Sequence, residues 1–414
     1  MYLSSPLLKK AFVIFIIICA NEVYRIAAIP ESIRDLIQTA GIGLILLILL
    51  IDGLYKSGVN LKQYFKIEMY MLIFAVFFSM FIAFYYHNQD FKTSLIVQRY
   101  MYFIGFYFLL HRLKLPGSDI ENIILLFGFA YVVFFLFQYA IYPIEFFDIR
   151  IDADRGTLRI FLPGAALMFF AYYKYLQRFL TTQNLKYGAF VVLFFLVGAL
   201  LQGTRQLMAS VSLLTVLFII FNKDVRSRIL MILLSVLAGI AIFIILYDMF
   251  MEILEATQYE LSRDEPNVRL LAINYFMNDF MPADIAYIFG NGQDSINSPF
   301  GKHVNMLKRV FGFYQSDIGI IGDYSKFGLL FVIAQLSIYG RIVFGKLHPN
   351  LEFLRYMFIG LTITLFTGRN YLGNPGGIVF ICAVCYLIDY YKNFTKNPEL
   401  IQKLIHKKNI NHIL

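Results

Sequence analysis

Charge is scarce in this chain. Of its 414 residues only 15% are Asp, Glu, Lys or Arg, whereas 59% are apolar. A soluble globular domain carries nearer a quarter charged residues, so a globule surrounded by water is excluded. Cysteine is scarce as well. Cys19, Cys382 and Cys385 all fall inside apolar runs, and the last two lack the second ligand pair that a zinc site needs. They read as small packing or lipid-facing residues. No Gly-rich phosphate loop is present, and the loops on the basic side are too short for an ATPase, which removes nucleotide hydrolysis. A Ser-His-Asp pattern and a cluster of metal ligands are also missing, so no metal and no cofactor is expected. No internal repeat is visible, whereas many transporters are built from two related halves.

What the chain has instead is apolar length. Blocks of about 17 to 25 residues recur, long enough to cross a hydrocarbon core of about 30 Å, and mean hydropathy is +0.67. Twelve spans are drawn, over 11–28, 36–54, 67–85, 94–110, 120–142, 159–173, 187–202, 207–221, 229–250, 318–340, 351–368 and 374–391. The first follows Lys9 and Lys10 as a signal peptide would. Asn21, Glu22 and Arg25 stand where small cleavage-site residues belong, so it is kept as a span. A net charge of +9 would suggest nucleic acid in a soluble domain. Here the basic residues gather in alternate short loops, among them Lys56, Lys62, Lys66, Arg112, Lys114, Arg178, Lys186, Lys223, Arg226 and Lys346. That is a topology signal, which puts both termini in the cytoplasm and argues against nucleic acid.

One connection is long, from Met251 to Asp317 on the external side, and loops of that length are usually functional. Asp264, Glu265 and Pro266 give a helix start, and Val268, Leu271, Tyr275 and Phe276 then recur at helical spacing. The reading is an amphipathic helix lying on the membrane surface. The chain therefore divides into nine spans over 1–250, the external loop 251–317, three spans over 318–391 and a basic tail 392–414. In that tail Leu400, Ile401, Leu404 and Ile405 share one helical face beside Lys403, Lys407 and Lys408, the pattern of an interfacial helix or of a frayed terminus.

Arginine should be depleted outside, so those that remain there need a reason. Arg155, Arg159, Arg205, Arg269 and Arg369 all lie near external span ends. Arg205 is the sharpest case, set in the tight connection Gly203-Thr204-Arg205-Gln206. Snorkelling to lipid phosphates explains any one of them. Five on one face point to a lipid-linked phosphate or pyrophosphate, because guanidinium groups bind phosphate oxygens in pairs. The Gly290-Asn291-Gly292 segment is either an anion nest or a plain turn. Asp317, where the loop meets the tenth span, is placed either to act as a general base for a sugar hydroxyl or to cap that span's helix. Arg99 and Asp323 lie roughly 9 Å inside their spans at 1.5 Å per residue. Such groups pair, Asp323 with Lys326 or Arg99, and Glu22 with Arg25. His303 reads as a solvent-exposed loop residue.

Three segments together resemble the bacterial O-antigen polymerase and O-antigen ligase superfamily. Arg155 and Pro163 in RGTLRIFLPGAA are similar to that family's arginine, phenylalanine and Pro-Asn motif, with Gly164 in place of the asparagine. Gly203-Thr204-Arg205-Gln206 is similar to its Gly-Ser-Arg turn. Arg269, Gly290-Asn291-Gly292, Ser316-Asp317 and Gly328 follow the order of the ligase pattern. The resemblance implies an all-α integral membrane protein of about twelve transmembrane helices, with GT-C-like architecture and one large external loop over the site. It implies a metal-independent inverting glycosyltransferase of the bacterial inner membrane, its site facing the periplasm. Arg205 and Arg269 would bind the pyrophosphate of an undecaprenyl-linked oligosaccharide, Asp317 would be the base, and Arg155, Arg159 and His303 would contact glycan or phosphate. Ligases carry histidine at the catalytic position, so Asp317 favours the polymerase, with ligase and polyisoprenoid-linked glycan flippase as alternatives. Membrane lipids and a chain-length regulator are the further partners implied.

Overall fold

The computed structural model describes residues 5–54, 61–152, 158–201, 205–222, 267–368 and 371–396, with a few isolated helical positions between 228 and 251. The expectations for Arg155, for Arg369 and for the tail beyond 396 lie outside these residues, as does the side chain of Arg205.

Among the described residues five helices are long and apolar enough to cross a membrane. They lie within α2 (Glu31–Leu54), α3 (Lys66–His87), α6 (Gly117–Ile141), α13 (Ile320–Phe344) and α15 (Pro375–Lys396). Each coincides with a predicted span. The bilayer is visible in the side chains as well: Leu50, Ile67 and Tyr85 are 70%, 72% and 72% exposed on the outside of the bundle. Glu68, Gln98, Gln138, Gln335 and Asp389 are buried inside it. Such an inversion suits a hydrocarbon solvent, since a soluble monomer rarely exposes so much apolar surface. The chain is an all-α membrane protein.

Shorter helices complete the bundle: α1 (Pro6–Ala20), α7 (Ala165–Thr182), α8 (Leu185–Phe195), α9 (Arg205–Phe221) and α14 (Phe353–Thr367). The fourth predicted span is broken into α4 (Phe91–Val97), a 3-10 stretch Arg99–Ile104 and α5 (Gly105–Leu113). Its start is set by Asp90, whose carboxylate accepts from Thr93 N at 3.0 Å. Gly105 lets the resumed helix approach α2, for a Cβ there would stand 2.9 Å from Ile45. A second break lies inside α13, where Gly328 has φ 77°.

The long connection is folded, not a single surface helix. It carries α10 (Val268–Asn274) continuing into a π-helical turn Tyr275–Asp279, then α11 (Asp284–Phe289) and α12 (Pro299–Phe311). Ala272, Phe276 and Phe280 make the buried stripe against Phe300, Val304, Leu307 and Ile318, while Val268 and Leu271 stay exposed. The buried face lies a residue or so round from the expected one because the loop's own core receives it. The three cysteines are buried in the bundle core, so they pack and do not face lipid. Chain direction alternates so that one end of the bundle, the loop end, carries 267–319. The opposite end joins Lys10 to Asp119 and Lys174 to Glu121, each at 2.8 Å. Near the loop end a hairpin pairs β1 (Ile151–Asp152) with β2 (Arg159–Ile160).

Candidate functional site at the loop end

The loop is locked to the bundle by buried polar groups. Gln89, fully buried, donates to Gln293 O at 2.8 Å and accepts from Ser295 N at 2.9 Å and Ser298 Oγ at 2.8 Å. One amide thus fixes the whole 293–298 segment. Asn291 is equally buried: its Nδ2 donates to Ser325 O at 3.1 Å, and His87 Nε2 lies 2.8 Å from its Oδ1.

The Gly290-Asn291-Gly292 segment is not an anion nest. Asn291 N donates to Ser325 O at 3.0 Å and Gly292 N to Lys326 O at 2.7 Å, so these donors are engaged by the unwound part of α13. The two glycine positions interlock. A Cβ on Gly290 would stand 2.3 Å from Lys326 backbone, and one on Gly328 2.2 Å from Ile288 O. Both have positive φ, which glycine alone adopts readily.

This docking gathers polar groups from four elements. Tyr100 of the 3-10 stretch donates to Gln293 Oε1 at 3.4 Å, and Lys308 of α12 is 3.7 Å from Asp294 Oδ2. Lys326 and Asp323 of α13 lie in the same field. Asp323 is 6% exposed, its Oδ2 has no hydrogen-bond partner, and it forms no ion pair with a described residue. Of its two expected partners Lys326 interacts with it electrostatically without an ion-pair contact, and the pairing with Arg99 is not found. Arg99 instead reaches Asp35 at 2.5 Å and Gln38 at 3.0 Å, in a network that continues through Glu22 to Arg25 at 2.9 Å. The Glu22–Arg25 expectation is borne out.

Asp317 sits in a 3-10 turn, Gln315–Asp317, and is exposed; Ser316 Oγ donates to its Oδ1 at 3.0 Å. It does not cap α13, whose N-cap is Gly319 with no side-chain bond. The capping expectation is corrected: the turn is held by buried Gln315, which donates to Ser325 Oγ at 2.8 Å, leaving Asp317 to point outward. Close packing ties this turn to the end of α14, since a Cβ on Gly319 would meet Leu365 O at 2.0 Å and one on Gly368 would meet Asp317 O at 3.2 Å. Antiparallel to α14 runs α9, with Phe218 on Tyr356 and Leu214 against Gly360. That register brings the start of α9, at Arg205, to the level of Gly368 and hence to the same end as Asp317.

Arg269 is the second residue of α10, exposed, with no side-chain hydrogen bond or ion pair to a described residue. His303 is exposed as expected, stacked on Phe280 and 3.4 Å from Tyr275 OH; burial, and then Asp279, raises the Tyr275 hydroxyl above its usual range. Arg159 stands apart from these groups, in β2 opposite Asp152. Nearby Asp148 is held below the ordinary carboxylate range by the hydrogen bond from Arg34. The loop end therefore divides into two regions. One is an ion-paired corner at α1, α2 and the hairpin; in the other, at α9, α10, α13 and α14, Arg269 and Asp323 form no ion pair among the described residues. Tyr100, Gln293, Asp294 and Lys308 were not legible as site residues. In their neighbourhood the sequence offers Asp323 and Lys326, ionisable in an apolar run, beside the Arg269, Gly290-Asn291-Gly292 and Asp317 candidates. Neither a protein-family model nor a curated protein matches the sequence.

Proposed function

We propose that this chain is a membrane glycosyltransferase that polymerises a surface polysaccharide, transferring a growing glycan from undecaprenyl pyrophosphate to a sugar hydroxyl of a lipid-linked repeat unit. The observation that carries this reading is the interlock of Gly290-Asn291-Gly292 with the unwound α13 at Gly328. Two glycine positions that the family resemblance pairs in order are packed backbone to backbone at the end of the bundle that also carries Asp317, Arg269 and the start of α9. In this proposal twelve spans cross the inner membrane with both termini in the cytoplasm, and the loop end faces the periplasm.

Arg205 and Arg269 would hold the pyrophosphate and stabilise the charge that grows on it as the glycosidic bond breaks. The leaving group is already a good one, so a single base and no metal suffices for inverting attack by the acceptor hydroxyl. Asp317 is that base. Asp323 is the second candidate, favoured by one observation: it is a buried carboxylate whose Oδ2 has no hydrogen-bond partner and which forms no ion pair with a described residue, the setting in which functional ionisable groups occur.

A null strain tests the class of function. Loss of a polymerase leaves one repeat unit on the carrier core; a core with no repeat unit would indicate a ligase, and units trapped in the cytoplasm a flippase. Orientation is tested by impermeant thiol labelling of Asn297→Cys and Thr395→Cys, both exposed sites in a chain whose own cysteines are buried. Only the first should react from outside.

A further inference from the structure

The long connection does not stay above the bundle. After Met281 it descends along α3: Met281 and Ala286 pack with Ile82, and the ring of Phe289 lies 5.1 Å from that of Phe78 and 5.9 Å from that of Phe74. Phe74 and Phe78 bracket the middle of the 22-residue α3, about 13 to 20 Å from its His87 end at 1.5 Å per residue. Half of the hydrocarbon core is about 15 Å. The chain then turns at Gly290-Asn291-Gly292 and climbs back. A Cβ on Gly292 would stand 2.9 Å from Ser79 O and 3.0 Å from Ala83 Cβ, whereas Gln293 O already accepts from Gln89, beyond the end of α3.

Composition and hydrogen bonding both suit that depth. Residues 285–293 carry no charge, and Asp284 and Asp294 stand at the two rims. Irregular backbone is tolerated at membrane depth only where protein or enclosed water satisfies its polar groups. Here the unwound part of α13 does so. A regular helix would commit Ser325 O and Lys326 O to the amides four residues on. The break at Gly328, φ 77°, interrupts that ladder, and the two carbonyls accept instead from Asn291 N at 3.0 Å and Gly292 N at 2.7 Å. Each irregular segment thus supplies what the other lacks. The outward side of α11 is apolar, with Ile285 and Ile288 45% and 48% exposed. They continue the exposed apolar surface formed by Phe74 and Phe77 of α3 and by Leu329 and Ile333 of α13, the two long helices that α11 packs against.

We propose that residues 281–293 form a re-entrant hairpin, which dips to about the middle of the bilayer and returns to the same side, with Ile285 and Ile288 against lipid acyl chains. Hydrocarbon is the partner because this patch is uncharged, lies level with the lipid-facing phenylalanines of α3 and is continuous with them. The hairpin does not depend on the glycosyltransferase reading, nor on which side of the membrane the loop faces.

The chain contains no tryptophan, so one introduced tryptophan reports alone. Full-length Ile288→Trp protein is reconstituted in phosphatidylcholine bilayers brominated either at the middle of the acyl chain or close to the head group. Leu126→Trp, 60% exposed on α6, marks contact with lipid, and Asn297→Trp, exposed beyond the hairpin, marks the aqueous loop. Ile288→Trp is expected to lose as large a share of its emission to mid-chain bromine as Leu126→Trp, while Asn297→Trp keeps its emission. An Ile288→Trp reporter that is not quenched would overturn the proposal. Stronger quenching by bromine near the head group than at mid-chain would overturn it too, since α11 would then lie on the surface. If Ile288→Trp protein fails to fold, thiol labelling decides, because the native cysteines are buried. In lipid nanodiscs, which leave both faces open, Ile288→Cys should resist a charged maleimide that labels Asn297→Cys and should react once the protein is unfolded. Equal labelling of the two folded variants would overturn the hairpin.

Discussion

The two ends of the bundle treat buried charge differently. At the end away from the loop, Glu121 receives Lys174 at 2.8 Å and Tyr391 OH at 2.7 Å; Glu68 receives Arg341 and, at 3.1 Å, Ser337; Asp389 receives Tyr107 OH and Tyr64 N. Each of these carboxylates joins helices distant in sequence. At the loop end Asp323 is as buried, yet it forms no ion pair with a described residue, Lys326 acting on it only from beyond contact. Burying a charge is costly, and partners offset that cost. A carboxylate kept without them does not serve stability, which is why ionisable groups of this kind mark functional sites.

Activity should show the largest difference. Asp317→Asn is expected to lower polymerisation of purified lipid-linked repeat units by about 10² to 10⁴ with unchanged thermal unfolding, since Asp317 is exposed and does not cap α13. Near-parental turnover would move the base to Asp323. Arg269→Lys keeps the charge but not the paired donors, and should lose most of the activity at normal expression.

Stability should differ in sign between the ends. Glu121→Ala leaves Lys174 buried without its partner and is expected to cost about 3–5 kcal/mol, read from unfolding in detergent. Asp323→Asn removes a buried charge that has no ion partner among the described residues, and Tm should hold or rise. A fall at 323 as large as that at 121 would erase the comparison.

The dock between loop and bundle comes next. Gly328→Ala puts a Cβ 2.2 Å from Ile288 O at φ 77° and should cost about 1–3 kcal/mol. Limited proteolysis should then cut within 290–298, while the Glu121–Lys174 end stays protected. Gly340→Ala, where a Cβ meets nothing within 4 Å, is the silent control on the same helix.

The smallest effect belongs to the paired corner. Because Arg34 lowers the Asp148 carboxyl, the pair stabilises above the ordinary carboxylate value of about 4 and is lost as pH falls through the lower folded value. The difference in Tm between parent and Asp148→Asn should be small at neutral pH and vanish in acid. A difference that persists there would mean that Arg34 holds Asp148 by shape and not by charge.

Much of this was legible in advance, and the reason lies in the solvent. A hydrocarbon surrounding forces backbone groups to pair locally, so long apolar runs can only be helices; α2, α3, α6, α13 and α15 follow from composition alone. Exposed His303 and the Glu22–Arg25 pair were legible for the same local reason. What the chain could not announce were contacts between distant segments. An apolar run reads alike whether it continues as a helix or breaks into α4, a 3-10 stretch and α5. Gly290-Asn291-Gly292 looks like a nest or a turn until Ser325 and Lys326 take its amides. Arg99 has many acids within reach of the bundle, and only packing selected Asp35. Sequence alone thus determined that this is a helical membrane protein with one long loop, because those properties rest on local hydropathy and hydrogen bonding. Tertiary structure alone decided which charges are paired, where the spans break and how the loop docks, because each depends on long-range packing that no local pattern encodes.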